Sequence, residues 1–367
     1  MNKTLVIVPS LKFGWGAEKI ASIVGTELNN QQIETHFFTF YDTQEKYPFQ
    51  GKYFSLQETF KTNLLSKIIK LFSRAWKIKK YCKQHHIQTC VSFMEDANFS
   101  TILSKLVFRN KSYINISIHH SLDDYGTGIY YFLIKWLYPK AEKIIVLTEH
   151  EQNHLINHFS IDPKKITIIH NPIDINSIEQ LKIRKNQDYQ SLFGQQKFTF
   201  ISMGRLTKIK NQQLLIDVFK QFYTQHPNTQ LLILGDWELR ENLLQQIGDH
   251  PDMHLLGNQS NVYPFLYQSN CFILTSFSES FWNAIIEAMA CELPIISTKT
   301  QWWVEITNHG EYGLIFQNRE ELLKYMQDFY SNNKKYTLYQ KKSLQRARDF
   351  DIKSIIEKWK EKLYSFE

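Results

Sequence analysis

The chain has 367 residues, 43% of them hydrophobic, enough to bury cores in two or three domains and too many for a small disulfide-stapled scaffold. A formal charge of +7 points to an anionic partner, without choosing between nucleic acid, lipid head groups and phosphorylated small molecules. The cysteines Cys82, Cys90, Cys271 and Cys291 form no C-x-x-C pair and no disulfide framework, which indicates a reducing compartment.

The opening MNKTLVIVPSLK holds an apolar block too short for a secretory signal, and no run approaches the roughly 18 apolar residues of a membrane span. The chain is therefore expected to be cytoplasmic. Its first strand, TLVIV at 4–8, runs into Gly14 and Gly16, a glycine-bearing turn before a helix where open α/β sheets bind ligands. Lys19 stands where a dinucleotide fingerprint needs its third glycine, and Glu18 reads as a helix cap.

After a second strand, HFFTF at 36–40, the segment Lys61–Lys83 carries eight Lys or Arg and no acid. Its apolar residues Leu64, Leu65, Ile68, Ile69, Phe72, Ala75 and Trp76 recur at helical spacing. Lys67, Lys70, Arg74 and Lys77 then form a basic face suited to an anionic membrane or an acceptor, and equally to plain solvation. No nucleic-acid module accompanies it, so nucleic acid is not expected as a partner.

Strands CVSF (90–93) and YINISI (113–118) follow, the latter ending at His119 and His120, of which one is expected to enter a site. Strand KIIVLT (143–148) leads into His150-Glu151-Gln152-Asn153-His154, the His-Glu-x-x-His signature of zinc peptidases. His150, His154 and His158 share a helical face but span about 12 Å along its axis, so one ion cannot take all three, and the extended form of the motif fails. A zinc peptidase is set aside and no metal is expected.

Strand KITII (165–169) and HNPID close a first series, and a polar stretch from Ser177 to Gln196 precedes a second, FTFIS (198–202), QLLIL (230–234), MHLL (253–256), CFILT (271–275) and LPIIS (293–297). Strands alternating with helices imply parallel sheets, here two Rossmann-like domains facing across a cleft. We expect an N-terminal domain at 1–175, a linker at 176–196 and a second domain at 197–348. A C-terminal helix in 349–367, amphipathic over Ile352–Tyr364, is expected to pack back on the first domain.

In the second series, FISMGRLTKIK ends a strand at Gly204 and supplies Arg205 and Lys210, a fork-shaped donor and a point charge suited to phosphate. The block SFSESFWNAIIEAMACELPIIST places Glu279 and Glu287 eight positions apart. Eight helical residues rise about 12 Å, beyond the roughly 5 to 9.5 Å of a glycosidase pair. The two carboxylates suit separate hydroxyls of one extended ligand whose phosphates sit on the N–H groups of the helix opening at Asn283, and they read equally well as solvated helix positions.

Taken together, PSLKFGWGAE, HNPID, MGRLTKIKN, LILGD and the Glu-x7-Glu block resemble the family 4 glycosyltransferases of the GT-B fold, nearly end to end. The resemblance implies retaining transfer of a hexosyl or N-acetylhexosaminyl group from a nucleotide-diphosphate donor, UDP by family frequency, without metal or other cofactor. Arg205 and Lys210 would hold the diphosphate, with Gly16 and Gly204 close by; Glu279 would contact the transferred sugar and Glu287 the ribose. Ser280, Phe281, Trp282 and Asn283 would offer backbone and wall contacts to the donor, and His119 would line the cleft as a catalytic residue. Trp15 and Glu292 stand where the family has glycines, and QWWVE at 301–305 replaces a glycine-rich stretch. The basic helix resembles that of bacterial enzymes extending lipid-linked oligosaccharides. This implies a lipid-linked glycan acceptor, a peripheral place on the inner face of the cytoplasmic membrane, and work in polysaccharide, lipopolysaccharide, capsule or protein-glycan assembly. A soluble enzyme with a small acceptor and a non-catalytic binding scaffold are the alternatives.

Overall fold

The structure is a computed structural model, and it describes residues 2–12, 16–59, 64–120, 122, 128–181, 192–193, 196–277 and 283–364, leaving aside the side chains of 64, 65 and 301–303. Runs of β-branched and aromatic residues become strands because branched side chains pack well on a pleated surface. The first series forms β1 (Lys3–Val8), β2 (Glu34–Thr39), β3 (Lys52–Ser55), β4 (Thr89–Phe93), β5 (Tyr113–Ser117), β6 (Lys143–Val146) and β7 (Ile166–Ile168). The second forms β8 (Phe198–Met203), β9 (Thr229–Leu234), β10 (Met253–Leu255), β11 (Cys271–Leu274), β12 (Ile295–Thr298) and β13 (Leu314–Phe316).

Between them run α1 (Gly16–Asn30), α2 (Leu64–His85), α3 (Glu95–Leu106), α4 (Ile129–Leu137), α5 (Glu149–Phe159), α6 (Ile175–Leu181) and α7 (Gln212–Tyr223). They continue as α8 (Arg240–Ile247), α9 (Tyr263–Gln268), α10 (Asn283–Ala290), α11 (Gln301–Ile306), α12 (Arg319–Ser331), α13 (Asn333–Arg348) and α14 (Ile352–Tyr364). Every strand pairing is parallel, in the orders β3-β2-β1-β4-β5-β6-β7 and β10-β9-β8-β11-β12-β13. Parallel sheets need both faces covered, and the central strands β4 and β9 are accordingly buried at every residue. The short strands β3 and β13, of four and three residues at sheet edges, have no counterpart in the sequence reading.

The chain divides into two compact units, Met1–Pro172 with Lys353–Glu367, and Ile173–Ile352. The second unit therefore starts earlier than the expected linker: Ile173 and Ile178 of α6 are buried in its core, so the segment up to 181 is packed structure. In the first unit α14 closes the fold, with Ile355, Ile356, Trp359 and Leu363 buried. Trp359 stacks on Phe93 of β4 at 5.7 Å, and the Tyr364 hydroxyl bonds that of Thr4 in β1. Each such fully buried large side chain contributes roughly 1.5–3 kcal/mol.

Helix α2 requires a correction. Arg74, expected on its exposed basic face, is buried, with its guanidinium 2.8 Å from the Glu58 carboxylate, 3.5 Å from Asp96 and 4.1 Å from the Phe40 ring centroid. The acid that neutralises it comes from the segment before the helix, where helical periodicity does not look. The packed face follows Arg74, Ala75, Ile78 and Cys82, while Ile68, Ile69, Phe72 and Trp76 stay exposed. Lys67 is exposed, Lys77 half-buried, and the Lys70 ammonium donates to the Thr59 carbonyl at 2.7 Å.

Candidate functional site

In the second unit β8 ends at Met203 and turns at Gly204, whose φ of 154° suits glycine. A matching turn follows β9: Gly235 has φ 137°, and a Cβ there would lie 2.0 Å from the Gly204 carbonyl oxygen. Only glycine lets the two loops approach this closely. Leu206 N–H then donates to the Asp236 carbonyl at 3.2 Å and Leu239 N–H to that of Leu206 at 3.1 Å, binding the loops together.

Arg205 and Lys210 occupy this junction. Arg205 projects into solvent while the next residue, Leu206, is fully buried and anchors the backbone. The Arg205 carbonyl accepts from the Gln212 amide at 3.1 Å. The Thr275 hydroxyl, just past β11, donates to the carbonyls of Lys210 and Asn211 at 3.0 and 2.9 Å. Phe277 N–H donates to the Ile209 carbonyl at 2.8 Å. The loop that carries Arg205 and Lys210 is thus stitched to the segment after β11, which leads toward Glu279. Glu279 itself lies outside the described residues, as do Ser280, Phe281 and Trp282.

Burial, then the neighbouring Arg205 charge, pulls the Lys210 pKa down to about 7. A diphosphate bound there would favour the ammonium and raise that pKa. Binding above about pH 7 is therefore expected to take up a proton, approaching one per site, and affinity to fall as pH rises. Calorimetry of UDP binding at pH 8 in buffers of different ionisation enthalpy checks this; uptake should vanish in Lys210→Met, and its absence in the wild type would contradict the assignment.

Helix α10 opens at Asn283 and is packed through Ile285, Ile286, Ala288 and Met289, which orients Glu287. Glu287 is 8% exposed, and its carboxylate accepts from the Tyr263 hydroxyl at 3.4 Å. A buried carboxylate of this kind suits vicinal hydroxyls such as a ribose presents. Tyr263 escaped the sequence reading because its partner lies in another helix. Trp237 escaped it too: it holds φ 156° with its ring 56% exposed and 5.9 Å from the Arg205 guanidinium. Its signal was the Gly-Asp pair directly after strand QLLIL, which mirrors the Gly-Arg pair after FTFIS.

In the first unit Gly16 is the opening residue of α1. Glu18 in its first turn is buried, and burial pushes its carboxyl up to about 7 against hydrogen bonds from its own N–H and Ser10. It is a buried group that accepts from a first-turn N–H of its own helix. Past β5 the two histidines diverge. His120 is exposed, whereas His119 is buried, bonds the Ser117 hydroxyl at 3.0 Å and lies 5.3 Å from the Phe93 ring. Burial, then the His120 charge, pulls its pKa down to about 3, so His119 is a neutral hydrogen-bonding group at ordinary pH. Gly16 and His119 both follow carboxyl ends of parallel strands, as Arg205 does in the second unit.

The His-Glu-x-x-His segment is the start of α5, capped by Thr148, whose hydroxyl accepts from Glu151 N–H at 3.4 Å. Glu151 is buried on the packed face, and the His154 and His158 rings lie 4.4 Å apart at its edge, with His154 5.7 Å from the buried Phe159 ring. Among the described residues no three His, Cys, Asp or Glu side chains are grouped to hold a metal ion.

Residues 164–346 match the glycosyl transferases group 1 family and residues 16–177 match glycosyltransferase family 4. An uncharacterised glycosyltransferase of Methanocaldococcus jannaschii is 29% identical over 377 residues, covering 89% of this chain and 91% of that one. The N-acetylgalactosamine-N,N'-diacetylbacillosaminyl-diphospho-undecaprenol 4-alpha-N-acetylgalactosaminyltransferase of Campylobacter jejuni is 29% identical over 301 residues, 79% of this chain and 80% of that one. The crystal structure of Anabaena HepE in complex with UDP shares the fold, with a TM-score of 0.80 at 20% identity over 99% of this chain and 100% of that one. With a family match on each half and parallel Rossmann-like sheets in both units, the chain belongs to the GT-B glycosyltransferases and is a sugar-transferring enzyme of glycan biosynthesis.

Proposed function

We propose that the chain transfers a sugar from a nucleotide-diphosphate donor, UDP-linked, to a hydroxyl of a lipid-linked glycan, retaining the anomeric configuration. The observation that carries this reading is the pair Arg205 and Lys210, held on one short loop with the Lys210 ammonium set in partial burial beside a like charge. A bound diphosphate relieves that arrangement. As the bond from the anomeric carbon to the phosphate oxygen breaks, the leaving diphosphate gathers negative charge, and fixed cations stabilise it there. The acceptor hydroxyl oxygen bonds to the anomeric carbon on the same face, and its proton passes to the leaving phosphate oxygen. Glu287 holds the ribose, Glu279 the transferred sugar, and His119 serves as a neutral hydrogen-bonding group.

The acceptor class rests on two supports. The Campylobacter relative is named for a diphospho-undecaprenol-linked glycan, and α2 carries Lys67, Lys70 and Lys77 without any acid, which suits an anionic membrane surface on the cytoplasmic side. The test is a screen of nucleotide sugars for protection against heating and for transfer to a polyprenyl-diphosphate glycan, with the product anomer assigned by NMR. Protection by UDP-sugars and an α-to-α transfer support the reading. Equal kcat/KM on a short soluble acceptor would favour a soluble enzyme, and no binding of any nucleotide sugar would favour a non-catalytic scaffold.

A further inference from the structure

Two helices of the first unit leave large apolar side chains in water. On α2, Ile68, Ile69, Phe72 and Trp76 are 45, 60, 42 and 46% exposed; on α4, Ile129, Phe132 and Trp136 are 58, 65 and 78% exposed. Each set falls within about 100° of helical arc, so each is a stripe and not a scatter. The buried side of each helix is occupied by other residues, Ala75, Ile78 and Cys82 on α2 and Ile134 and Leu137 on α4. Both helices pack on α3 and meet at its first turn: Asp96 lies 3.5 Å from Arg74 of α2 and accepts from the Tyr130 hydroxyl of α4 at 3.2 Å. The two stripes therefore sit on helices that share α3 as a neighbour, each turned away from the side that meets Asp96.

The charge around them selects the occupant. Helix α2 carries six lysines and no carboxylate, and α4 carries Lys135 and no carboxylate. The cores of protein interfaces are depleted in lysine, whereas lysine interleaved with Trp and Phe is the composition of helices lying in the headgroup layer. Lys80 illustrates the pattern, with its ammonium 5.4 Å from the Trp76 ring. We infer that α2 and α4 together form a face that inserts into an anionic lipid bilayer, the aromatic and aliphatic side chains entering the acyl boundary while the lysines pair with headgroups. This rests on the proposed lipid-linked acceptor and adds the insertion of α4, which electrostatic attraction alone would not need.

The test uses the full chain and vesicles of phosphatidylglycerol or of phosphatidylcholine. Binding to the anionic vesicles should weaken but persist at about 0.5 M salt, because apolar insertion is not screened. Phe132→Ser with Trp136→Ser should lower vesicle affinity at least about tenfold while leaving transfer to a water-soluble acceptor unchanged. Brominated lipids should quench the wild-type fluorescence more than that of Trp136→Phe. Wild-type affinity in the double variant, or equal quenching in both proteins, would overturn the inference. So would wild-type self-association, abolished by the double variant, in a protein that ignores vesicles. Insertion without transfer to any lipid-linked glycan would leave this face standing and sink the catalytic reading; transfer without insertion would do the reverse.

Discussion

Arg205→Ala is expected to lower kcat/KM for the sugar donor by on the order of a hundredfold to a thousandfold, because it removes a fixed donor from the charge that builds on the departing diphosphate. Lys210→Ala should fall in the same range. The two losses should be less than additive, since both cations serve one diphosphate and share one loop. Neither variant should unfold, for Arg205 projects into solvent and the loop is held by Leu206, Gln212 and Thr275 rather than by the charged groups. Lys208, exposed on the same loop, provides the control: Lys208→Ala should keep a rate near wild type. Steady-state kinetics on the three variants separates a diphosphate site from a generally basic loop, and full activity in Arg205→Ala would misplace the site.

Arg74→Ala is expected to destabilise the first unit by about 3–5 kcal/mol, since it leaves the Glu58 carboxylate with only the Lys70 ammonium, 3.9 Å away, and opens a cavity under Phe40. For a unit of this size the loss corresponds to a fall in Tm of roughly 6–20 °C. The charge term and the packing term can be told apart. Arg74→Met keeps much of the volume but still leaves Glu58 without its guanidinium partner, so it should remain costly. Pairing it with Glu58→Met should recover most of the stability, as buried ion pairs replaced by apolar groups of similar volume are often neutral. Calorimetric melting of the three variants decides; a surface role for Arg74 would leave all three near the wild type.

Arg74 also shows where the sequence stopped being informative. Periodicity correctly marked a basic amphipathic helix, but it assigned Arg74 to the wet side and did not separate the apolar residues that pack from those that stay exposed. The burial of Arg74 depends on Glu58, Tyr41 and Asp96, three partners outside the helix whose approach no local pattern encodes. The central strands were easy to read because they are buried throughout and built from branched residues. The edge strands β3 and β13 were not read, whereas the equally short edge strands β7 and β10 were, because KITII and MHLL carry the apolar run beyond the paired residues.

The candidate site divides in the same way. The positions of Arg205 and Lys210 after β8 and of Glu287 inside α10 were legible, because the strand and the helix that carry them are strongly marked in the sequence. Their environments were not: the lowered Lys210 pKa, the Tyr263 contact to Glu287 and the close approach of Gly235 to Gly204 all arise between separate strands and helices. The adjacent histidines could be separated only once burial was known. His119 turns inward against Phe93, and the low pKa that follows removes it from consideration as a general acid.

A crystal structure of the protein with UDP tests the central claim most directly. It should place the diphosphate oxygens within hydrogen-bonding distance of Arg205 and Lys210, at about 2.7–2.9 Å, with the ribose hydroxyls on Glu287. A nucleotide bound elsewhere, or a diphosphate that touches neither cation, would contradict it.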